Sequence, residues 1–300
     1  MQAPFLLFFL FLVSVSYSLS SKFCSNSATQ SGPEGYGVYL LVTAVVACIF
    51  FFCSNHFQIT ATLPTLLYAM GYAAIAILCN IYGLKVLLYA DGASVTVISS
   101  ACGLITTSGI GILLFQETLD WLKAARIFTM LCAILCIFLD VRKKDEPAPK
   151  GKRKKSLSFL LVMTALILGN SASVILLKYY SMAKNVADEN SLFFFTNVFM
   201  ILAILPWSII RLKRNPNRMA DFLPMLRLKS LSAITLSTLS SNINSLISVR
   251  LIRIMDVSVY TPVTSATGII SGLATSFILR EKIGKWSMLA ALLAFASILI

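Results

Sequence analysis

Asn80-Ile-Tyr-Gly opens a stretch that runs through a long apolar segment, the acidic Asp91 and a small-residue segment to Leu113-Leu-Phe-Gln-Glu117 and Trp121. Asn244 opens a second stretch in the same order, past Asp256 to Phe277-Ile-Leu-Arg-Glu281 and Trp286. Asn244 follows Asn80 by 164 positions, and Glu281 follows Glu117 by the same 164. An earlier pair, Lys22-Phe23-Cys24-Ser25 and Lys178-Tyr179-Tyr180-Ser181, recurs at 156. A constant shift through ordered landmarks marks an internal repeat. Repeated halves in a very apolar chain are a common construction among secondary transporters, so transport is the first expectation.

The 300 residues are 58% hydrophobic and only 12% charged, about half the charged share of a soluble domain. Crossing the hydrocarbon core takes about 20 mostly apolar residues. Stretches of that kind fall at 5–21, 37–54, 64–88, 94–114, 121–139, 158–178, 191–210, 230–249, 257–279 and 284–300. Ten transmembrane helices in an all-α membrane protein follow. The first stretch resembles a secretory signal but lacks a basic start, and it is kept as a span.

Charge sets the orientation. Ten spans leave Lys123, Arg126, Lys178, Lys184, Arg250 and Arg253 on one side and 19 of the 25 Lys and Arg on the other. Basic short loops stay cytoplasmic, so both termini face outward. The net charge of +13 then reads as helix-end bases touching anionic lipid headgroups, with no nucleic-acid partner. The run 142–156, rich in Lys, Arg, Pro and Gly, is a cytoplasmic linker between a first repeat at 1–141 and a second at 157–300. The seven cysteines lack metal spacing and read as small buried hydrophobes. With five spans in each half, the second enters the membrane upside down, giving two inverted five-helix repeats.

The doubled Lys-aromatic-x-Ser ending of each first helix and the doubled Glu-then-Trp after each fourth helix resemble the drug/metabolite transporter superfamily, EamA type. The likeness covers essentially the whole chain, through the order and doubling of loose motifs. It implies carriage of a small polar metabolite such as an amino acid by alternating access, as exporter, exchanger or facilitator. A nucleotide-sugar or multidrug carrier of the same fold is the alternative, and a non-transporting scaffold is the competing class. The family pattern often has a Pro midway along each fourth helix. Pro262 supplies it here and Ile98 does not, so any helix break near the substrate is expected to be one-sided.

All twelve acids map to loops or helix ends. A carboxylate buried in a span would be a site by default; small multidrug-resistance relatives use one for proton exchange, and none is placed so here. For Glu117 and Glu281 the reading divides between capping the next helix, or pairing with Lys123 or Lys285, and a gate salt bridge. Lys22 and Lys178 divide between snorkelling ends and gate or substrate contacts. Cavity candidates are Asn80, Tyr82, Ser99, Gly103, Asn244, Tyr260, Thr264 and Gly268. The symmetry-related amides Asn80 and Asn244 lead, because an amide in a span needs a partner. The Gly268-to-Gly272 spacing also suits close helix packing.

Metalloprotease, nucleophile-elbow and P-loop motifs are absent, so no enzyme, cofactor or metal is expected. A small-molecule solute, membrane lipid and a second copy of the chain are the expected partners. A cell-membrane location is expected, with an endomembrane as the alternative. A carrier further needs polar residues of both halves to meet in a mid-depth cavity.

Overall fold

The computed structural model describes the backbone of residues 2–30, 32–87, 92–144, 156–214, 228–278, 280 and 284–299. Side chains are described over 6–20, 37–82, 103–136, 139, 161–162, 164–210, 230–278, 280 and 284–299. Among the described residues there are ten helices and no strand. They are α1 (Gln2–Gln30), α2 (Gly32–Ser54), α3 (Leu63–Leu87), α4 (Gly92–Phe115), α5 (Trp121–Lys144), α6 (Ser156–Met182), α7 (Glu189–Arg214), α8 (Leu228–Ile254), α9 (Val257–Ile278) and α10 (Lys285–Leu299). Each predicted span coincides with one helix, in order. Several helices run past the apolar stretch, because Ser, Lys and Arg continue a helix well enough without being apolar.

Three helical stretches among the described residues are long and apolar enough to cross a membrane: Gly37–Ser54, Leu63–Tyr82 and Glu189–Ile210. Shorter apolar stretches lie at Leu6–Ser20, Gly103–Phe115 and Lys285–Leu299. α9 continues through Pro262. A proline near the start of a helix forfeits one hydrogen bond without ending it.

The helices sort into two compact units, one of Met1–Ala74 with Met182–Arg250 and one of Ile75–Ser181 with Leu251–Ile300. Each unit draws helices from both halves of the chain.

In the first unit α2 packs along α7. Phe51 stacks on Phe193 with centroids 5.2 Å apart, and Phe52 lies 5.9 Å from Phe194. At the other end of the pair, a Cβ on Gly37 would stand 2.9 Å from both the Trp207 ring and Ser208 Oγ. Gly37→Ala therefore forces the rigid indole aside and lowers stability by about 1–2 kcal/mol, read as a drop in the unfolding midpoint in detergent.

In the second unit α10 packs along α5 and α9, and α4 against α9. Its core joins Leu104, Met130, Ala133, Ile134, Ala266, Ala290 and Ala294. The alanines, with no side chain beyond Cβ, permit close helix approach. Arg126, on α5, spends its Nε on the Ser297 carbonyl at 3.1 Å.

Candidate functional site

The charged candidates of the second unit meet at one turn. α8 ends at Ile254 and α9 begins at Val257, so Met255 and Asp256 join a helix end carrying negative partial charge to one carrying positive. Lys178 of α6 answers the first: its Nζ donates to the carbonyls of Ile252 at 3.0 Å and Met255 at 2.9 Å. Glu117 answers the second. Its Oε1 accepts from Val257 N at 2.6 Å and its Oε2 from Ser258 N at 2.8 Å. Lys123 of α5 pairs with Asp256 at 2.7 Å and also donates to the Thr118 carbonyl at 2.9 Å. Three elements thus clamp a two-residue turn through matched charge.

Two local features let Glu117 reach across. Gln116 holds φ 52°, the left-handed region, and this ends α4 and turns the chain toward α9. For a residue with a Cβ that conformation costs about 1–2 kcal/mol. Gly111 leaves the carboxylate room: a Cβ there would lie 3.1 Å from Glu117 Oε2 and 3.2 Å from Val257 Cβ. Arg280, 164 positions after Gln116, holds φ 56°. The two strained turns occupy corresponding places in the repeat.

This corrects the partners expected for Glu117. It caps α9, not α5, and Lys123 goes to Asp256. The physical preference of an acid for a helix N-terminus holds, but the nearest free terminus in space lies 140 residues away. Lys178 caps the end of α8 through its two carbonyl bonds. Lys22 lies on α1 and Ser99 on α4, both outside the described side chains, and Glu281 lies outside the described residues altogether. So do 145–155 of the linker.

The cavity candidates are distributed over both units. Asn80, in the second, is exposed and donates to the Ala76 carbonyl of its own helix at 2.8 Å. Asn197 does the same with Phe193. These amides find their partner one turn back on their own helix, as short polar side chains do. Asn244, in the first unit, differs: its Oδ1 is buried without a partner, and so is Nδ2 of neighbouring Asn242. Tyr82 is half-buried and Tyr260 buried. The Thr264 hydroxyl is spent on the Tyr260 and Thr261 carbonyls. Gly103, Gly268 and Gly272 have nothing within 4 Å of where a Cβ would stand, so the GxxxG does not mark a tight helix contact among the described residues. Between α4 and α9 the close approach is at Gly111 instead, legible only once the two helices are seen together.

A cavity of about 650 Å³ lies in the first unit, walled by Val46, Ile49, Phe50 and Cys53 of α2 and by Thr235 and Leu239 of α8. It is bounded by both halves of the chain, but its walls are mainly apolar and no predicted residue lines it. The metal expectation is untouched: no His, Cys, Asp or Glu group able to hold an ion occurs among the described residues.

No family model matches the chain. No curated protein matches it either. Solved structures do match. One, described only as "Crystal structure of protein", superposes with a TM-score of 0.61 over 96% of each chain at 12% identity. At that identity the likeness establishes a shared fold and nothing about activity.

Proposed function

We propose that this protein is a ten-span carrier of the drug/metabolite transporter type, built from two inverted five-helix repeats in the cell membrane and moving a small polar metabolite by alternating access. The observation that carries the reading is which helices pair. α2 packs with α7, α4 with α9 and α5 with α10, each a helix with its counterpart five places on. Helices beside a twofold axis meet their own copies, as an isologous interface requires. An odd number of spans per repeat then turns the second repeat over, the arrangement that lets a carrier rock about a central site.

The clamped α8–α9 turn suits the outer gate of such a carrier. Every group in it maps to the non-cytoplasmic side of the charge-derived topology, and ion pairs with helix-end caps can break and re-form during a cycle.

The test is counterflow in proteoliposomes against a panel of radiolabelled amino acids, nucleotide sugars and organic acids. Accumulation of one class above protein-free vesicles is expected. Absence of flux for every class, from protein that remains monodisperse, replaces the carrier with a scaffold. In cells, a cysteine placed at residue 150 should resist impermeant thiol reagents, and its labelling from outside would overturn the topology.

A further inference from the structure

We infer that the cavity between α2 and α8 binds an uncharged, mainly apolar small molecule, and that Asn242 gives it the one hydrogen bond that fixes its orientation. Such a site needs neither flux nor a second conformation, so it stands apart from the carrier reading.

A cavity and an orphaned donor meet here. The cavity holds about 650 Å³ between Val46, Ile49, Phe50 and Cys53 of α2 and Thr235 and Leu239 of α8. Small-molecule sites span roughly 300–1,000 Å³ and are mostly apolar, with a few placed polar groups. Asn242 is 9% exposed, and its Nδ2 is buried with no acceptor among the described residues. Asn80 and Asn197 spend the same group on the carbonyl four residues back. Asn242 does not. A buried donor without an acceptor is costly, and such exceptions call for a cause.

Helical register aims the donor at the cavity. Asn242 follows Leu239 by three positions and Thr235 by seven. At about 3.6 residues per turn the three share one face of α8, within about 60°. A helical side chain leans back over the turn before its own Cα, which carries the Asn242 amide toward Leu239 and the cavity wall. Asn244 stands about 160° round the helix from Asn242 and faces elsewhere.

The walls then define the ligand. Nδ2 donates, so the ligand presents an acceptor atom. The wall hydroxyls are already given away, Thr235 to the Leu231 carbonyl and Ser54 to Asn190 Oδ1. No Asp, Glu, Lys or Arg occurs in 37–54, 191–210 or 230–249, so a charged ligand would be desolvated there without a counter-charge. Phe50 and the aliphatic side chains suit an aromatic or hydrocarbon body.

The experiment uses Cys53, an exposed thiol in the cavity wall, as a local reporter. Full-length protein in lipid nanodiscs is treated with N-ethylmaleimide, and the labelling rate of Cys53 is read by mass spectrometry. The probes are acetylnaphthalene, a neutral ketone, naphthalene, which lacks the acceptor, and naphthoate, which carries a charge. Both neutral probes should slow labelling in wild type, and naphthoate should protect least. Asn242→Leu should raise the half-protecting concentration of the ketone about tenfold, the worth of one hydrogen bond, and leave that of naphthalene unchanged. The variant should fold as wild type does, because its amide has no bond to lose; Asn242→Ala is read the same way if it does not. Leu239→Trp, which fills the cavity, should abolish protection by both neutral probes, with Val46→Phe in its place if the tryptophan variant does not fold. No protection by either neutral probe overturns the site, as does protection that survives the filled cavity. An equal effect of Asn242→Leu on ketone and naphthalene overturns the role of Asn242, and naphthoate protecting as well as the ketone overturns the preference for an uncharged ligand.

Discussion

Replacing Gly111 by valine should lower stability by about 3 kcal/mol, the upper end for overpacking a closely packed helix contact. The new side chain would start 3.1 Å from Glu117 Oε2, 3.2 Å from Val257 Cβ and 3.4 Å from the Ser258 backbone nitrogen. Neither Val257 nor Ser258 can retreat, because both are fully buried at the start of α9. The variant therefore parts α4 from α9 and costs the Glu117 cap as well. Denaturant titration of purified protein reads the loss. Gly103→Val and Gly268→Val serve as controls, since nothing lies within 4 Å of a Cβ at either position. Equal losses in all three would mean that helix propensity, not the close approach, sets the cost.

On the proposed carrier reading, Asn244→Ala should reduce solute flux by about tenfold or more, the factor that one lost hydrogen bond of about 1.4 kcal/mol produces. Its Oδ1 is buried with no partner in the protein, so water or solute must satisfy it in a working carrier. Asn80→Ala should change flux less than about twofold, since its amide is exposed and already bonded to Ala76. Flux through each variant, normalised to reconstituted protein, checks both expectations. The repeat pairs these two asparagines, yet their surroundings differ. Equal losses would restore the symmetric site that sequence alone suggests, and no loss at Asn244 would remove it from the site.

Particular residues mark how far the sequence could be read. The ten helices were legible because apolarity over about 20 residues is a local signal. The repeat was legible because Asn80, Glu117 and Trp121 return in order. Glu117 was recognisable as a helix-end acid. Its partner was not, because two N-termini, of α5 and α9, compete for it and only distance in space chooses between them. The importance of Gly111 was likewise hidden: Gly103, Gly268 and Gly272 carry the same spacing signal, yet nothing lies within 4 Å of where a Cβ would stand on them. Gln116 carries no mark of a left-handed backbone, since that conformation is imposed by the cap it serves.

The amino-acid order by itself determined the order and approximate positions of the helices and the doubling of their landmarks, since apolar length and recurrence depend on neighbours along the chain. Only tertiary structure decided that each of α2, α4 and α5 packs on its own counterpart. It also decided that Lys178, Glu117 and Lys123 converge on the turn between α8 and α9. Free helix ends accept any suitable charge that comes within hydrogen-bond reach. Which charge arrives is a property of packing between elements as far as 140 residues apart.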